Sequence, residues 1–234
     1  DRHPVHRQES PLEWAPPVGM SRMTTFCTWR RTSRRQSRRR AVGYPEQATE
    51  RITMARDRRS TKARSIHHVT TRGNNRQEIF LDDLDRVIFL EWIARAVDRW
   101  DWGLLAYCLM DNHIHLVVEA APGDLSSGCR DALGSYARRF NQRHETSGHL
   151  FGSRFNSVEV IDDLQLTAVL RYVALNPVTA GRVASPADWP WSSHRAAVGD
   201  HPAPLFLDVA RLWSLLGRDA EVARLHLRAV IAVQ

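Results

Sequence analysis

The stretch Met110-Asp111-Asn112-His113-Ile114-His115-Leu116-Val117-Val118-Glu119 sets two histidines one residue apart in a run that is otherwise mostly aliphatic. Side chains on a strand alternate between faces, so His113, His115, Val117 and Glu119 share one face and Ile114, Leu116 and Val118 share the other. The aliphatic face can join a core. The other then carries two neutral imidazoles side by side, close enough to bind one divalent metal ion. Two histidines with separate surface or packing roles also fit a bare His-x-His, and fit it better when the pattern stands alone.

A second reactive group follows in the chain. Leu125, Cys129, Ala132, Leu133, Tyr136 and Phe140 fall on one helical stripe, which turns Tyr136 toward the rest of the domain. A phenol titrates near pH 10 and is a weak nucleophile at neutral pH, so it needs a base or an electrophile polarised by a metal. The plainer reading is a core tyrosine with its hydroxyl hydrogen-bonded. Arg138, Arg139, Asn141 and Arg143 lie around it, suited to phosphate contacts or, taken singly, to surface solvation.

The elements that must position these groups can be read from periodicity and breakers. Ser65–Thr71 reads as a strand stopped by the turn-prone Arg72-Gly73-Asn74-Asn75. Asp82 or Asp83 can cap a helix carrying Val87, Ile88, Leu90, Trp92, Ile93 and Val97, which ends near Trp102-Gly103. Leu104–Leu109 and Asn112–Glu119 form a hairpin over the short Met110-Asp111 link. Pro122-Gly123-Asp124 opens a helix from about Leu125 to His144. Ser153–Ile161 is a fourth strand, and a helix from Asp162 to about Asn176 is halted by Pro177. This order predicts an α+β domain of the ferredoxin-like, split βαβ kind. The domain is expected over residues 54–196. Trp189-Pro190-Trp191 and a helical C-terminal extension, residues 197–234 with helices over Leu207–Leu216 and Ala220–Val233, would pack around it.

The net charge of +7 over 234 residues is unevenly spread, with 11 Arg and 5 acids in residues 1–53 against 22 Lys+Arg and 21 acids in the remainder. Residues 1–53 lack apolar periodicity and contain the cluster Arg30, Arg31, Arg34, Arg35, Arg38, Arg39 and Arg40. They can be read as a basic arm for nucleic-acid phosphates, as a disordered tail, or as upstream sequence ahead of a natural start at Met54. Cys27, Cys108 and Cys129 have no metal-site spacing and, being odd in number, are expected to be reduced. The absence of a long apolar run or a signal-peptide core predicts a cytoplasmic protein with no membrane association.

Taken together, several blocks resemble the REP-associated tyrosine transposases, which belong with the single-tyrosine HUH transposases. They are His68-Val69-Thr70-Thr71-Arg72-Gly73-Asn74, Tyr107-Cys108-Leu109-Met110-Asp111-Asn112-His113-Ile114-His115-Leu116 and Tyr136-Ala137-Arg138-Arg139-Phe140-Asn141. Gly148-His149-Leu150-Phe151, Arg171-Tyr172-Val173-Ala174-Leu175-Asn176-Pro177 and Trp189-Pro190-Trp191-Ser192-Ser193 follow in the same order, so that the resemblance spans about residues 64–195.

The resemblance implies a metal-dependent single-stranded DNA endonuclease and strand transferase. His113 and His115 would hold Mg²⁺ or Mn²⁺, and Tyr136 would form a 5′-phosphotyrosine link that a second 3′-hydroxyl can reverse without ATP. Mg²⁺ prefers oxygen ligands, so a third, oxygen-bearing ligand is expected. Related transposases can use a glutamine four residues after the tyrosine; here that position is Phe140, which leaves Asn141 as the nearest substitute and Glu119 and His68 as others.

The implied partner is single-stranded or hairpin DNA with palindromic repeats, met in the nucleoid by a monomer or homodimer. Arg72, Asn74, Arg76, Arg138, Arg139 and Arg154, with Phe151 and Phe155, are the expected DNA contacts. A catalytically inactive DNA-binding module and a metal-dependent hydrolase that uses water are the competing readings.

Overall fold

The apolar runs between the Gly, Asn and Asp breaks become four strands: β1 Ser65–Arg72, β2 Gly103–Met110, β3 His113–Ala120 and β4 Asn156–Val160. A computed structural model of the chain describes residues 63–217 and 219–232. The readings of residues 1–53, of Met54 as a start and of Cys27 lie outside the described residues. The sheet order is β2-β3-β1-β4 with every neighbour antiparallel, the arrangement expected of a split βαβ nucleus.

Helices α1 (Asp83–Arg99) and α2 (Pro122–Arg143) cover one face of the sheet. Asp82 caps α1 by accepting from the Asp85 amide at 3.0 Å, and Pro122 occupies the first turn of α2, where a missing N–H costs nothing. The core on this side joins Val69, Ile114, Leu116 and Val118 of the strands to Phe89, Ile93, Leu125, Cys129, Tyr136 and Phe140 of the helices.

The opposite face is covered by α3 (Asp163–Thr179), the short α4 (His194–Ala197), α5 (Val209–Leu216) and α6 (Ala220–Ala232). Leu105, Ala106, Cys108 and Val117 of the sheet pack there against Leu166, Leu170, Val173, Leu212 and Leu227. The expected break between residues 196 and 197 falls inside α4, and the core runs across it, so α5 and α6 are part of the same packed unit.

Two element ends differ from expectation. Helix α3 continues past Asn176 to Thr179 with Pro177 inside it. A proline this close to the end removes only the bond to the Val173 carbonyl. The ring is buried, and the last turn closes through Ala180 N–H to Asn176 O, Gly181 N–H to Val178 O and Arg182 N–H to Pro177 O. Strand β4 begins at Asn156, three residues late, because residues 151–154 wrap the turn after β1: Phe151 bridges Gly73, and Gly152 N–H donates to Arg72 O at 3.0 Å. Gly73 itself is required, since a Cβ there would stand 2.1 Å from the Gln77 carbonyl oxygen.

Candidate active site

Strand alternation puts His113 and His115 on the α3 side of β3. His115 is opposite Thr70 in β1, and His68 is opposite Val117, so β1 brings His68 diagonally onto His115. The rings of His113 and His115 are 5.0 Å apart and nearly perpendicular; those of His68 and His115 meet edge to edge, 5.2 Å apart and nearly coplanar at 19°. His68 Nε2 lies 3.0 Å from His115 Nδ1.

Helix α3 completes the cluster. Tyr172 packs edge-on against His115 at 5.3 Å and against His68 at 5.9 Å between ring centres, and it is 54% exposed. One turn further on, Asn176 Oδ1 lies 3.0 Å from His113 Nε2, while His113 Nδ1 lies 2.7 Å from Asn112 Oδ1. A neutral imidazole has a single N–H, so it can donate to only one of these two carboxamide oxygens.

The electrostatics favour neutral imidazoles. Burial, then the neighbouring His113, His68 and Arg72, pushes His115 down to about 3. Burial also lowers His113, with Arg72 adding to the effect and the Asn176 contact and Asp111 opposing it, and burial lowers His68. His115 is 4% exposed, and its Nε2 is buried without a hydrogen-bond partner.

An orphaned buried ring nitrogen, beside a second imidazole and an amide oxygen, suits a small divalent cation. Among the described residues no three His, Cys, Asp or Glu side chains are arranged to share one metal ion. A metal here would therefore take its third protein donor from Asn176.

Tyr136 is not brought to this cluster. It is fully buried on the α1/α2 face of the sheet, donates its hydroxyl to the Ile79 carbonyl and packs against Phe80, Phe89, Phe140 and Phe151. Burial, with Asp85 adding to it, raises its phenol well above the ordinary value, the reverse of what a nucleophile needs. The amphipathic stripe that pointed Tyr136 inward pointed it into the core.

Asn141 is also displaced from the expected role: its Nδ2 donates to Gly148 O at 3.0 Å and its Oδ1 accepts from the Thr146 hydroxyl at 3.1 Å, closing the loop after α2. Glu119 is held by Arg211 through two contacts of 2.8 and 2.9 Å, four strand residues, or about 13 Å, from His115.

Arg72 sits beside His113 in register. Asn74, Arg76 and Arg154 belong to the two loops joined by the Gly73–Phe151 bridge, at the same end of the sheet, and Asn75 and Arg76 have positive φ of 50° and 61°. Arg138 and Arg139 are exposed on α2, on the other side of the sheet, where they contact Ser135 and Gln142. Sequence reasoning missed Tyr172 and Asn176. The available signal was a carboxamide four residues after a tyrosine, the spacing sought after Tyr136 and present in the Arg171–Pro177 block.

Residues 61–176 match the family model described as Transposase IS200 like. A Haemophilus influenzae protein that carries the name REP-associated tyrosine transposase is 31% identical over 114 residues, which are 43% of this chain and 64% of that relative's length. A solved structure described as a REP-associated tyrosine transposase bound to a REP hairpin superposes with a TM-score of 0.51 at 20% identity, over 65% of this chain and 93% of the other. At that identity the superposition speaks for a shared fold. Among the described residues no helix is long and apolar enough to cross a membrane.

Proposed function

We propose that the chain, whose residues 61–176 match the IS200-like transposase family model, is a transposase of that kind that cuts and rejoins single-stranded DNA at repeat hairpins, using a divalent metal ion and a covalent link to Tyr172. The observation that carries this reading is the seat of Tyr172 and Asn176 over the strand histidines: 5.3 Å between the Tyr172 and His115 rings and 3.0 Å from Asn176 Oδ1 to His113 Nε2. The solved relative's hairpin supports a hairpin substrate here.

His113, His115 and Asn176 would hold Mg²⁺ or Mn²⁺. Bound there, the ion supplies charge neutralisation at the scissile phosphate. Tyr172 Oη attacks the phosphorus in line with the departing 3′ oxygen and loses its proton to the solvent that reaches this half-exposed ring. The P–O3′ bond breaks, leaving a 5′-phosphotyrosine and a 3′-hydroxyl. Attack by another strand's 3′-hydroxyl on the same phosphorus restores Tyr172 and joins the strands. Arg72, with Asn74, Arg76 and Arg154 behind it, would receive phosphates of the entering strand.

The test is incubation of the full chain with end-labelled single-stranded hairpin DNA and Mn²⁺, followed by denaturing electrophoresis. A covalent adduct is expected from the wild type and from Tyr136→Phe, and none from Tyr172→Phe. Cleavage without an adduct would point to a water-using hydrolase, and hairpin binding without cleavage to a binding module.

A further inference from the structure

His68 belongs to neither the metal-holding set nor the nucleophile, yet its Nε2 lies 3.0 Å from His115 Nδ1. Two ring nitrogens at that distance share one proton, so one donates and the other accepts. The direction decides what His115 can do. If His68 donates, His115 accepts at Nδ1 and must carry its own hydrogen on Nε2, where the structure offers that buried atom no acceptor. Such a nitrogen has no lone pair for a metal. If His68 accepts, His115 is protonated at Nδ1, and Nε2 presents its lone pair into the cluster. The second arrangement alone leaves no buried donor unpaired.

We infer that His68 is a positioning residue: its Nε2 accepts the Nδ1–H of His115 and so holds His115 in the tautomer and ring orientation that directs Nε2 at a divalent cation. Metal-binding histidines commonly have the second nitrogen fixed by a carboxylate or carbonyl in this way. Here a neutral imidazole on the adjacent strand fills the place. The inference rests on the metal-site reading above. His68 is not itself a ligand, because its accepting nitrogen meets the edge of the His115 ring that points away from Nε2. The near coplanarity of the two rings, 19° apart, suits this in-plane hydrogen bond, and the edge contact of Tyr172 on both rings holds His68 in that pose.

Two measurements on the full chain test this without any activity assay. Long-range ¹H–¹⁵N NMR of the metal-free protein reads the His115 tautomer; Nδ1–H is expected in the wild type, and Nε2–H would overturn the inference. Mn²⁺ titration by calorimetry, with pulsed EPR counting bound imidazole nitrogens, reads the site. His68→Phe, which keeps a ring but no acceptor, is expected to weaken Mn²⁺ binding about 10- to 100-fold. His68→Gln, whose amide oxygen can accept from Nδ1–H, should stay within about threefold of wild type, by the same reasoning.

Wild-type Mn²⁺ should show two imidazoles. Three imidazoles, or a folded His68→Phe that binds as tightly as wild type while His115→Ala does not bind, would overturn the role of His68 and leave the metal site standing. Binding unaffected by His115→Ala would overturn the metal site and this inference with it.

Discussion

Tyr136 and Tyr172 show how far the surroundings of one side-chain type set its chemistry. The Tyr136 hydroxyl has a single job, donating to the Ile79 carbonyl in a buried aromatic cluster. Tyr136→Phe keeps the ring and leaves that carbonyl without its donor, an expected cost of about 1–2 kcal/mol. Urea unfolding should show a lower midpoint at unchanged slope. A folded Tyr136→Phe that no longer forms the DNA adduct would return the nucleophile to Tyr136.

Burial has a similar effect on the thiols: Cys108 and Cys129 are pushed up to about 12. At pH 8 the thiolate fraction is then on the order of 10⁻⁴. Iodoacetamide should leave both peptides unmodified in the native protein and label both in denaturant, as read by peptide mass spectrometry. The histidine pair was legible because strand alternation is local. The side of the sheet on which Tyr136 lies was not legible, because helical periodicity tells inside from outside and cannot tell which face of a sheet the inside is.

At the scale of elements, the two-residue link of the β2–β3 hairpin is a junction. The Asp111 carbonyl accepts from Ile79 and Phe80, the Asn112 carbonyl accepts from Gly73 at 2.9 Å, and the Asp111 carboxylate pairs with Arg86 at 2.5 Å and with Arg182 just beyond α3. This ties the hairpin that carries His113 to the end of the helix that carries Asn176. Arg86 is buried beneath Phe80, Trp189 and Trp191, whereas Arg182 is half exposed.

Asp111→Asn should therefore cost about 3 kcal/mol, the low end for stranding a buried charge because Asp83 remains at 3.3 Å from Arg86. Arg182→Ala should cost about 0–1 kcal/mol. Equal shifts in thermal midpoint would show that the buried arginine is not what the junction stabilises. The hairpin was readable from two strands around a short link. The junction was not, because its partners lie 25 and more residues away and no local pattern records them.

For the whole molecule, the sequence predicts a sheet nucleus with a helical extension after residue 196 that packs around it, and the packing shows what that extension covers. The α3 side of the sheet is closed by Leu212 of α5 and Leu227 of α6, which lie over Leu105, Val117, Leu170 and Val173. Residues on either side of α4 are stitched to β2 and β3 as well: Ser193 bonds Tyr107, Asp208 N–H donates to Leu104 O at 2.8 Å, and Arg211 holds Glu119 at the far end of β3. The surface covered was not legible, because the apolar stripes of α5 and α6 show that they bury something without showing what.

An appendage and a core element predict different truncations. Ending the chain after Val198 removes the burial of Leu207, Leu212 and Leu227, at about 1.5–3 kcal/mol each, and uncovers the apolar back of the helix that carries Tyr172. Against a total stability of about 5–15 kcal/mol, that loss should abolish the cooperative unfolding transition seen by circular dichroism. The full-length chain offers a milder version of the same test. Leu212→Ala, at a fully buried position, should cost about 2–5 kcal/mol, while Leu225→Ala, 54% exposed on the neighbouring helix, should stay within about 0.5 kcal/mol of wild type. A truncated chain with an unchanged midpoint would restore the nucleus-plus-extension description. Loss of folding would instead make α5 and α6 a condition for the site, because they back the helix that sets Tyr172 and Asn176 against the histidines.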